Sequence, residues 1–390
     1  MIFKFILSLC FLLFSSCDDP ASSSEELMQK LYVCDEGSDR VVILDASSDN
    51  LSQIKTIDIK FLDDEGEDET PHYIAIDQSS GYWFVTAKGT GFVGMFDLNT
   101  DTLIDTFNLG PESMPAFIAV DKYNKTLYIS RGATTGGDDH LYVLNYSSGM
   151  LQDAGLIDFT SVVPGFSKVH ALSIDYPTLG GTSLIAASYG QDLFAITNLE
   201  NDIVTPSIYP FETEQEGAES ARIKPLTVTQ KDNFIFFSCH GNNSNNIPGH
   251  IQSWSLSANQ LDTLQFSFSS KPWHITPSPN SNEIFTVLKG TQMPESGEVY
   301  SEAGLSCLSY DENGNLTEKW RNTSSDFRML HGIAISSDGS RAYVSSMGNG
   351  SVLVFDTSSG NLLNTIDGIG MYNQDVEQSG KTLSGLAITQ

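Results

Sequence analysis

The chain has 390 residues, of which 40% are hydrophobic and 10% aromatic, so it can bury a sizeable core and is not a disordered polymer. Its 49 acidic residues outnumber the 20 lysines and arginines, which gives a net charge of −29 and argues against a nucleic-acid partner. The 32 glycines and the scarcity of helical patterning predict many short strands joined by turns.

Residues 1–16 predict a secretory signal peptide. One early charge, Lys4, is followed by an apolar run to Phe14 that is too short for a stable transmembrane helix. The stretch from Leu13 to Cys17 resembles the lipobox of bacterial lipoproteins, a family in which the signal is cut before the cysteine and the cysteine is acylated. The resemblance implies lipidation of Cys17 and attachment to a lipid bilayer. An ordinary signal peptide with an incidental cysteine is the alternative.

Residues 17–30 predict the acylated cysteine with a polar tether, and residues 31–390 predict a single domain. Asp18 and Asp19 resemble the acidic export tag of some Gram-negative surface lipoproteins. The resemblance implies an outer-membrane lipoprotein exposed at the cell surface, with a periplasm-facing lipoprotein as the alternative.

One unit recurs seven times along the predicted domain. In each copy an apolar strand ends in a polar residue, a tight turn follows, and a Leu or Ile stands six positions on, as in Asp45-ASSDN-Leu51. The mean spacing of about 52 residues suits four strands with their turns. The pattern, clearest in the stretch that begins at His331, resembles the YVTN-repeat β-propellers. The resemblance implies an all-β fold, a seven-bladed propeller of four-stranded antiparallel blades.

The two ends of the domain predict how the ring closes. The first unit begins at a strand of the second type, Leu31–Val33, and therefore lacks its innermost strand. The last stretch, Leu383-SGLAITQ, matches the missing type. We therefore expect the C-terminal strand to pair into the N-terminal blade, which removes exposed sheet edges.

The loops predict which face of the propeller binds a ligand. On one face the turns are short and alike, whereas on the other they are long and individual, as in residues 133–140 and 290–304. Variation confined to one face is typical of a binding face.

Two sets of positions are expected to converge on the central mouth of that face: the entry to each innermost strand, and the residue before a glycine at the end of each second strand. These glycines predict sharp turns with positive φ. Glu36 is the only acid in the two sets. The candidate ligand-binding residues are His72, Lys88, Arg131, His170, Tyr189, Lys224, His240, Trp273, Lys289 and His331.

The residue types at the mouth indicate the ligand's chemistry. Lysine and arginine attract an anion, Trp273 and Tyr189 offer flat faces to a ring system, and imidazoles form hydrogen bonds or ligate a metal. The alternative is that several of these side chains point into a neighbouring blade or pair with loop acids.

The sequence gives weaker indications of other kinds of site. His72, His170 and His331 fall in units two, four and seven, so we expect them to be too far apart to share one metal ion. The acidic run 63–69 predicts a solvated loop that faces a basic partner. Three cysteines, Cys34, Cys239 and Cys307, predict buried apolar side chains without a disulfide. No cofactor is expected, beyond a metal carried within a bound ligand.

With both a lipobox and a seven-fold repeat, the chain resembles the propeller lipoproteins that pass cobalamin or ferric siderophores to TonB-dependent outer-membrane transporters. The resemblance implies a non-enzymatic capture protein for a small anionic or aromatic molecule of the siderophore, cobalamin or haem class. One alternative is a propeller enzyme of lactonase or lyase type, with Glu36 and a neighbouring histidine as the acid–base pair. Another is a scaffold for protein–protein interaction.

Overall fold

The computed structural model describes residues 28–62, 68–110, 112–132, 140–163, 166–175, 183–200, 206–211, 223–242, 246–293, 299–370 and 382–390. The predicted signal peptide, Cys17 and most of the predicted tether lie outside the described residues. Within these ranges the secondary structure consists of β-strands and one short 3-10 turn, Glu36–Ser38. No helix among them is long and apolar enough to cross a bilayer.

Seven four-stranded antiparallel sheets, blades 1 to 7, build the molecule, as the repeats predict. Blade 1 contains β1 (Lys30–Asp35), β2 (Arg40–Asp45), β3 (Ser52–Asp58) and the last strand, β30 (Leu383–Ile388). Blade 2 contains β4 (Pro71–Asp77), β5 (Tyr82–Ala87), β6 (Phe92–Asp97) and β7 (Leu103–Asn108). Blade 3 contains β8 (Pro115–Asp121), β9 (Thr126–Arg131), β10 (His140–Asn145) and β11 (Gln152–Asp158).

The remaining blades follow the same order. Blade 4 contains β12 (Val169–Asp175), β13 (Ser183–Ser188), β14 (Leu193–Asn198) and β15 (Pro206–Pro210). Blade 5 contains β16 (Pro225–Lys231), β17 (Phe234–Cys239), β18 (His250–Ser255) and β19 (Gln260–Gln265). Blade 6 contains β20 (Pro272–Pro277), β21 (Glu283–Leu288), β24 (Gly304–Tyr310) and β25 (Leu316–Thr323), with a small hairpin of β22 (Thr291–Met293) and β23 (Val299–Ser301). Blade 7 contains β26 (Leu330–Ile335), β27 (Arg341–Ser346), β28 (Ser351–Asp356) and β29 (Leu362–Ile366).

The innermost strands β30, β4, β8, β12, β16, β20 and β26 contact one another in sequence around the axis, and β26 contacts β30. The ring closes as predicted, because β30 pairs antiparallel with β1, with Leu31 opposite Ile388 and Val33 opposite Leu386. The backbone N–H of Thr389 donates to the carbonyl of Lys30 at 3.0 Å. Both ends of the described chain therefore lie at the end of blade 1 where β1 begins and β30 stops.

Apolar side chains fill the spaces between adjacent blades. Phe84 of blade 2 belongs to one buried cluster with Ile118 and Leu127 of blade 3, and Val352 of blade 7 to another with Leu31 and Leu386 of blade 1. The second and third strands of the blades are largely buried on both faces, whereas outer strands such as β3 are largely exposed. Most of the core therefore lies between the blades and away from the axis.

Tight turns between the third and fourth strands carry an Asp, Asn or Ser that binds the turn backbone. Asp97 Oδ1 accepts from the N–H groups of Asn99 at 3.0 Å and Thr100 at 2.7 Å. In units four and six the accepting residues are Asn198 and Asp311, one position after those that the repeat pattern indicates. Side-chain acceptors of this kind are the reason for the recurring polar residue.

The predicted solvated acidic loop is confirmed at Asp68, which is exposed, and is wrong at Glu69. Residues 63–67 lie outside the described residues, but Glu69 is only 3% exposed. Its Oε1 atom accepts from the N–H groups of Phe61 at 2.6 Å and Leu62 at 3.1 Å. The carboxylate thus binds the backbone of its own loop, because buried acceptors normally find hydrogen-bond donors within the protein.

Three cysteines are placed as predicted. Cys34, Cys239 and Cys307 are buried and free, and burial raises the pKa of each thiol above its ordinary value. Burial as apolar side chains agrees with the prediction, and a raised pKa disfavours the nucleophilic thiolate.

Closure by the last strand generates the first prediction. Deleting residues 384–390 removes the buried side chains of Leu386 and Ile388 and exposes the edge of β1. At about 2 kcal/mol for each apolar side chain, we expect the free energy of unfolding to fall by roughly 4 kcal/mol or more. Urea unfolding measures the change, with deletion of Gln390 alone as the control. Equal stability of the truncated and full chains would contradict closure.

Candidate functional site

The mouth is the end of the propeller where the innermost strands begin and the second strands end. At this end each innermost strand of blades 2 to 7 carries one extra residue. In blade 2, for example, Pro71 lies opposite Ala87 and Tyr73 lies opposite Thr86, so His72 has no residue opposite it on β5. A bulge of this kind changes the direction of side chains. It therefore allows consecutive residues to face the axis.

A second repeated feature precedes the bulge. The residue just before each innermost strand of blades 2 to 7 is left-handed without being glycine, and its carbonyl accepts from the end of the second strand. Thr70 accepts from the N–H of Lys88 at 3.0 Å, and Lys271 accepts from that of Lys289 at 3.1 Å. We call this bond the hook. The left-handed residues, with φ between 45° and 55°, are Thr70, Met114, Lys168, Lys224, Lys271 and Met329.

The hook shows that the predicted register is wrong at two candidate residues. Lys224 is the left-handed residue of blade 5, and Leu226 occupies the position that His72 holds in blade 2. Arg131 pairs with Pro115 as Ala87 pairs with Pro71, so Gly132 corresponds to Lys88.

The two shifted residues differ in what they reach. Arg131 Nη2 donates to the carbonyl of Glu112 at 2.9 Å, which holds this guanidinium at the connection between blades 2 and 3. Lys224 remains at the rim of the mouth, where its charge acts on Lys271 and His240.

Close packing explains most of the repeated glycines. Only Gly241 and Gly290 of the seven have the predicted positive φ. A Cβ on Gly89 would lie 1.9 Å from the carbonyl oxygen of Asp68, and one on Gly190 would lie 2.3 Å from Ser167 Oγ. Glycine is needed at these positions because the preceding connection crosses directly over the backbone.

Four histidines form the floor of the mouth: His72, His170, His274 and His331. The ring centroids of His72 and His331 are 5.7 Å apart, and those of His274 and His331 are 4.6 Å apart. Phe117 connects the group, with its centroid 4.8 Å from that of His170 and 5.3 Å from that of His274.

His72 and His331 thus lie closer together than their places in units two and seven suggest, since blades 7, 1 and 2 meet at the axis. Even so, within the described ranges no three His, Cys, Asp or Glu residues are arranged to hold a metal ion.

Sequence reasoning missed His274. It follows Trp273 directly, and strict strand alternation would send the two side chains to opposite faces. The bulge in β20 instead brings both to His331, at centroid distances of 5.8 Å for Trp273 and 4.6 Å for His274. The left-handed Lys271 ahead of the strand, whose equivalents recur in other blades, sets this register, but it is a backbone feature that the residue types do not display.

Glu36, the one acid among the residues predicted to converge on the mouth, is paired with a histidine. Glu36 is only 6% exposed, and its Oε1 atom contacts Nδ1 of His72. Burial opposes the charged form of Glu36, but His72 and Lys88 outweigh it and hold the pKa of this carboxyl below its usual value. The floor therefore contains one carboxylate in contact with an imidazole.

The rim is positively charged on the side of blades 5 and 6. We call Lys224, Lys271, Lys289, His240 and Trp273 the lysine corner. Lys289 Nζ lies 3.9 Å from the centroid of the Trp273 ring, and His240 meets the same indole edge-on at 5.1 Å. In the part of the chain that the structure describes, no carboxylate forms an ion pair with the three lysines.

Burial and mutual repulsion change the ionisation of the lysine corner. Burial, with the charge of Lys271, lowers the pKa of Lys289 to about 8. Burial, with the charges of Lys271 and Lys289, lowers the pKa of His240 to about 3. Crowded cations that form no ion pair with a described carboxylate favour an anionic ligand.

Tyr189 and Lys88 complete the mouth. The ring of Tyr189 lies 6.4 Å from that of His170, so it is at the rim above blade 4. The aliphatic chain of Lys88 covers Gly132, with Cε 3.2 Å from where a Cβ would stand. Both candidate residues are thus at the opening.

Several buried polar atoms of the mouth have no hydrogen-bond partner among the described residues. They are His240 Nδ1, Trp273 Nε1, His274 Nε2 and His331 Nδ1. His274 and His331 are each only 5% exposed. Because buried polar atoms are normally paired, this concentration at one opening marks a place that can bind polar ligand atoms. A cavity of about 60 Å³ continues along the axis beside Tyr73, Phe117 and His274.

Comparisons with known proteins support the fold only. No family model and no curated protein matches the chain. Among solved structures, the periplasmic gluconolactonase of Pseudomonas aeruginosa is 14% identical, with a TM-score of 0.69 over 93% of this chain and 99% of that one. A 6-phosphogluconolactonase-like protein of Bacteroides fragilis is 12% identical, with a TM-score of 0.67 over 95% of this chain and 100% of that one. A functionally unknown protein from Desulfotomaculum acetoxidans is 13% identical, with a TM-score of 0.64 over 93% of this chain and 99% of that one.

Buried histidines generate the second prediction. Burial lowers the pKa of His170 to about 3, so the folded protein resists a proton that the unfolded chain takes up below pH 6.5. Stability should therefore fall as the pH drops from 7 towards 4, by about 3 kcal/mol from this residue at pH 4.5. In His170→Phe the pH dependence of urea unfolding should be shallower by that amount. Parallel pH curves for the two proteins would show that His170 is charged in the fold.

Proposed function

We propose that the mouth binds a small anionic molecule with a flat ring system. The observation that carries this proposal is the lysine corner, where Lys289 and His240 both contact the indole of Trp273. The cations neutralise the ligand, the indole and Tyr189 stack on its ring, and the unpartnered histidine nitrogens of the floor bind its polar atoms.

The charge of the whole protein makes this opening distinctive. With a formal net charge of −29, most of the surface repels an anion, whereas three lysines stand together at the rim. A local positive potential inside a narrow opening raises the local concentration of an anionic ligand. The ligand is thus drawn to the mouth and not to the outer blades.

We further propose that the protein captures the ligand without converting it. The resemblance to propeller lipoproteins supports a ligand of the siderophore, cobalamin or haem class and delivery to a TonB-dependent outer-membrane transporter. It also supports an anchor on acylated Cys17. In this proposal a metal enters only as part of the ligand, because the described histidines form no metal-binding group.

Removing the charge of the lysine corner is the third prediction. The double variant Lys271→Met, Lys289→Met keeps the aliphatic length and removes two cations. We expect binding of an anionic ferric catecholate to weaken on the order of tenfold per lysine, because each charge-assisted contact contributes about 1.5–3 kcal/mol. Isothermal titration calorimetry at two salt concentrations measures the loss and a smaller salt dependence.

Lys319→Met is the matched control for this test. It removes a cation of blade 6 that is paired with Glu283 far from the opening on β25. An affinity that is equal in the wild type, the control and the double variant would refute the electrostatic role of the corner.

Lactone hydrolysis is a second candidate, favoured by the contact between Glu36 and His72. In this mechanism the carboxylate orients the imidazole, the imidazole takes a proton from water, and the resulting hydroxide attacks the lactone carbonyl. The lysines of the rim would neutralise the carboxylate that ring opening produces. The fold that the chain shares with a gluconolactonase supports this candidate.

Glu36→Gln is the fourth prediction. If the protein is a lactonase, hydrolysis of D-glucono-1,5-lactone above the spontaneous rate should fall by roughly a hundredfold or more in the variant, because general-base catalysis contributes factors of that size. If the protein is a capture protein, the wild type itself should not exceed the spontaneous rate. Proton release followed with an indicator dye distinguishes the two outcomes.

A further inference from the structure

Lys289 has an amine that is held in a defined position. Its own N–H donates to the carbonyl of Lys271 at 3.1 Å, and the N–H of Gly290 donates to that of Ser270 at the same distance. Gly290 has a φ of 75°, and a Cβ there would come within 3.0 Å of Ala303. The side chain then lies over Trp273, with Nζ 3.9 Å from the ring centroid. Backbone and indole together fix where the amine stands.

Other described lysines are held differently. The Nζ atoms of Lys30 and Lys125 lie 2.8 Å and 3.2 Å from the carboxylates of Asp101 and Asp77, and Lys319 pairs with Glu283. In the described ranges Lys289 has no such ion pair. A paired ammonium is a poor nucleophile, whereas an amine crowded by another cation in a desolvated site is an activated one.

The ionisation of Lys289 agrees with its surroundings. Its pKa of about 8 compares with an ordinary value of 10.5. At pH 8 about half of this amine is uncharged, against about one in 300 for a lysine with the ordinary value. The supply of free amine is therefore on the order of a hundredfold greater.

Two more cations stand beside this amine and select the ligand. Lys224 and Lys271 are left-handed residues of adjacent blades, with φ of 51° and 48°. The charge of Lys224 lowers the pKa of Lys271, after burial, and that of Lys271 lowers the pKa of Lys289. A carboxylate or phosphate bound between the two flanking lysines would bring the rest of its molecule to Lys289 Nζ.

We propose that Lys289 condenses reversibly with an anionic aldehyde or 2-oxo acid bound at the lysine corner. The neutral amine adds to the carbonyl carbon, and a proton passes from nitrogen to oxygen to give a carbinolamine. Loss of one water molecule then gives the imine, with no oxidant or reductant required. His240, whose Nδ1 is unpartnered and which shares the Trp273 ring with Lys289, is placed to relay the proton.

This inference rests on the proposed anion-binding function, and three related probes separate the two. Pyridoxal 5′-phosphate carries a phosphate, a ring and an aldehyde; pyridoxine 5′-phosphate lacks the aldehyde; and pyridoxal lacks the phosphate. Imine formation is followed by the absorbance of the adduct, by trapping with borohydride and by peptide mapping. We expect pyridoxal 5′-phosphate at equimolar concentration to label Lys289 at least tenfold more than any other lysine, and pyridoxal to label it several-fold less.

Lys289→Arg tests the assignment, because arginine keeps the charge and loses the condensable amine. Its labelling should fall at least tenfold, and its affinity for pyridoxine 5′-phosphate should fall by much less than its labelling, since arginine keeps the positive charge at the site. Lys231→Arg is the matched control. Burial also lowers the pKa of Lys231, but its Nζ donates to the carbonyls of Ser278 and Ser281.

The outcomes are distinct. Labelling that is spread evenly over the lysines, that favours Lys231, or that persists in Lys289→Arg overturns the imine proposal. Failure of pyridoxine 5′-phosphate to bind either protein counts against the proposed function, and the trapping result still decides the chemistry of Lys289.

Discussion

The hook, a backbone hydrogen bond from the end of the second strand to a left-handed residue, is the constraint on which the mouth depends. It satisfies backbone groups where the sheet stops pairing and forces one extra residue into the innermost strand. Because it recurs in six blades, it presents a ring of side chains to the axis whatever their chemistry. Any ligand specificity is then a matter of which residues occupy the presented positions.

The arrangement at the axis is costly, and the rest of the fold offsets the cost. Neutral histidines and crowded lysines that find no partner among the described residues are unfavourable in a buried site. The apolar layers between blades lie away from the axis, so stability does not require the mouth residues to pair with one another. A site with polar atoms already desolvated and in position loses little entropy when it binds a ligand.

Architecture could be predicted from the sequence, because seven phased turns and complementary chain ends are local and repeated signals. The site could be predicted only in part. The positions of Lys88, Tyr189, His240 and Lys289 could be predicted because each precedes a glycine at the end of a second strand. The same pattern placed Arg131 and the strand-entry pattern placed Lys224 wrongly, by one and two positions. His274 was missed because a bulge breaks strand alternation, and Glu69 was misjudged because the N–H groups that donate to it belong to backbone that a sequence does not display. To predict the strand register to within one residue, the backbone pairing must be known, and residue types alone do not specify it.

Ring closure also has a directional consequence. β1 runs from Lys30 towards the mouth at Glu36, and β30 runs from Ser384 at the mouth back to Ile388, so the chain enters and leaves on the opposite end of the body. A surface to which the protein is fixed at Lys30 would therefore lie at the end opposite the mouth, and a ligand would enter and leave on the side away from that surface.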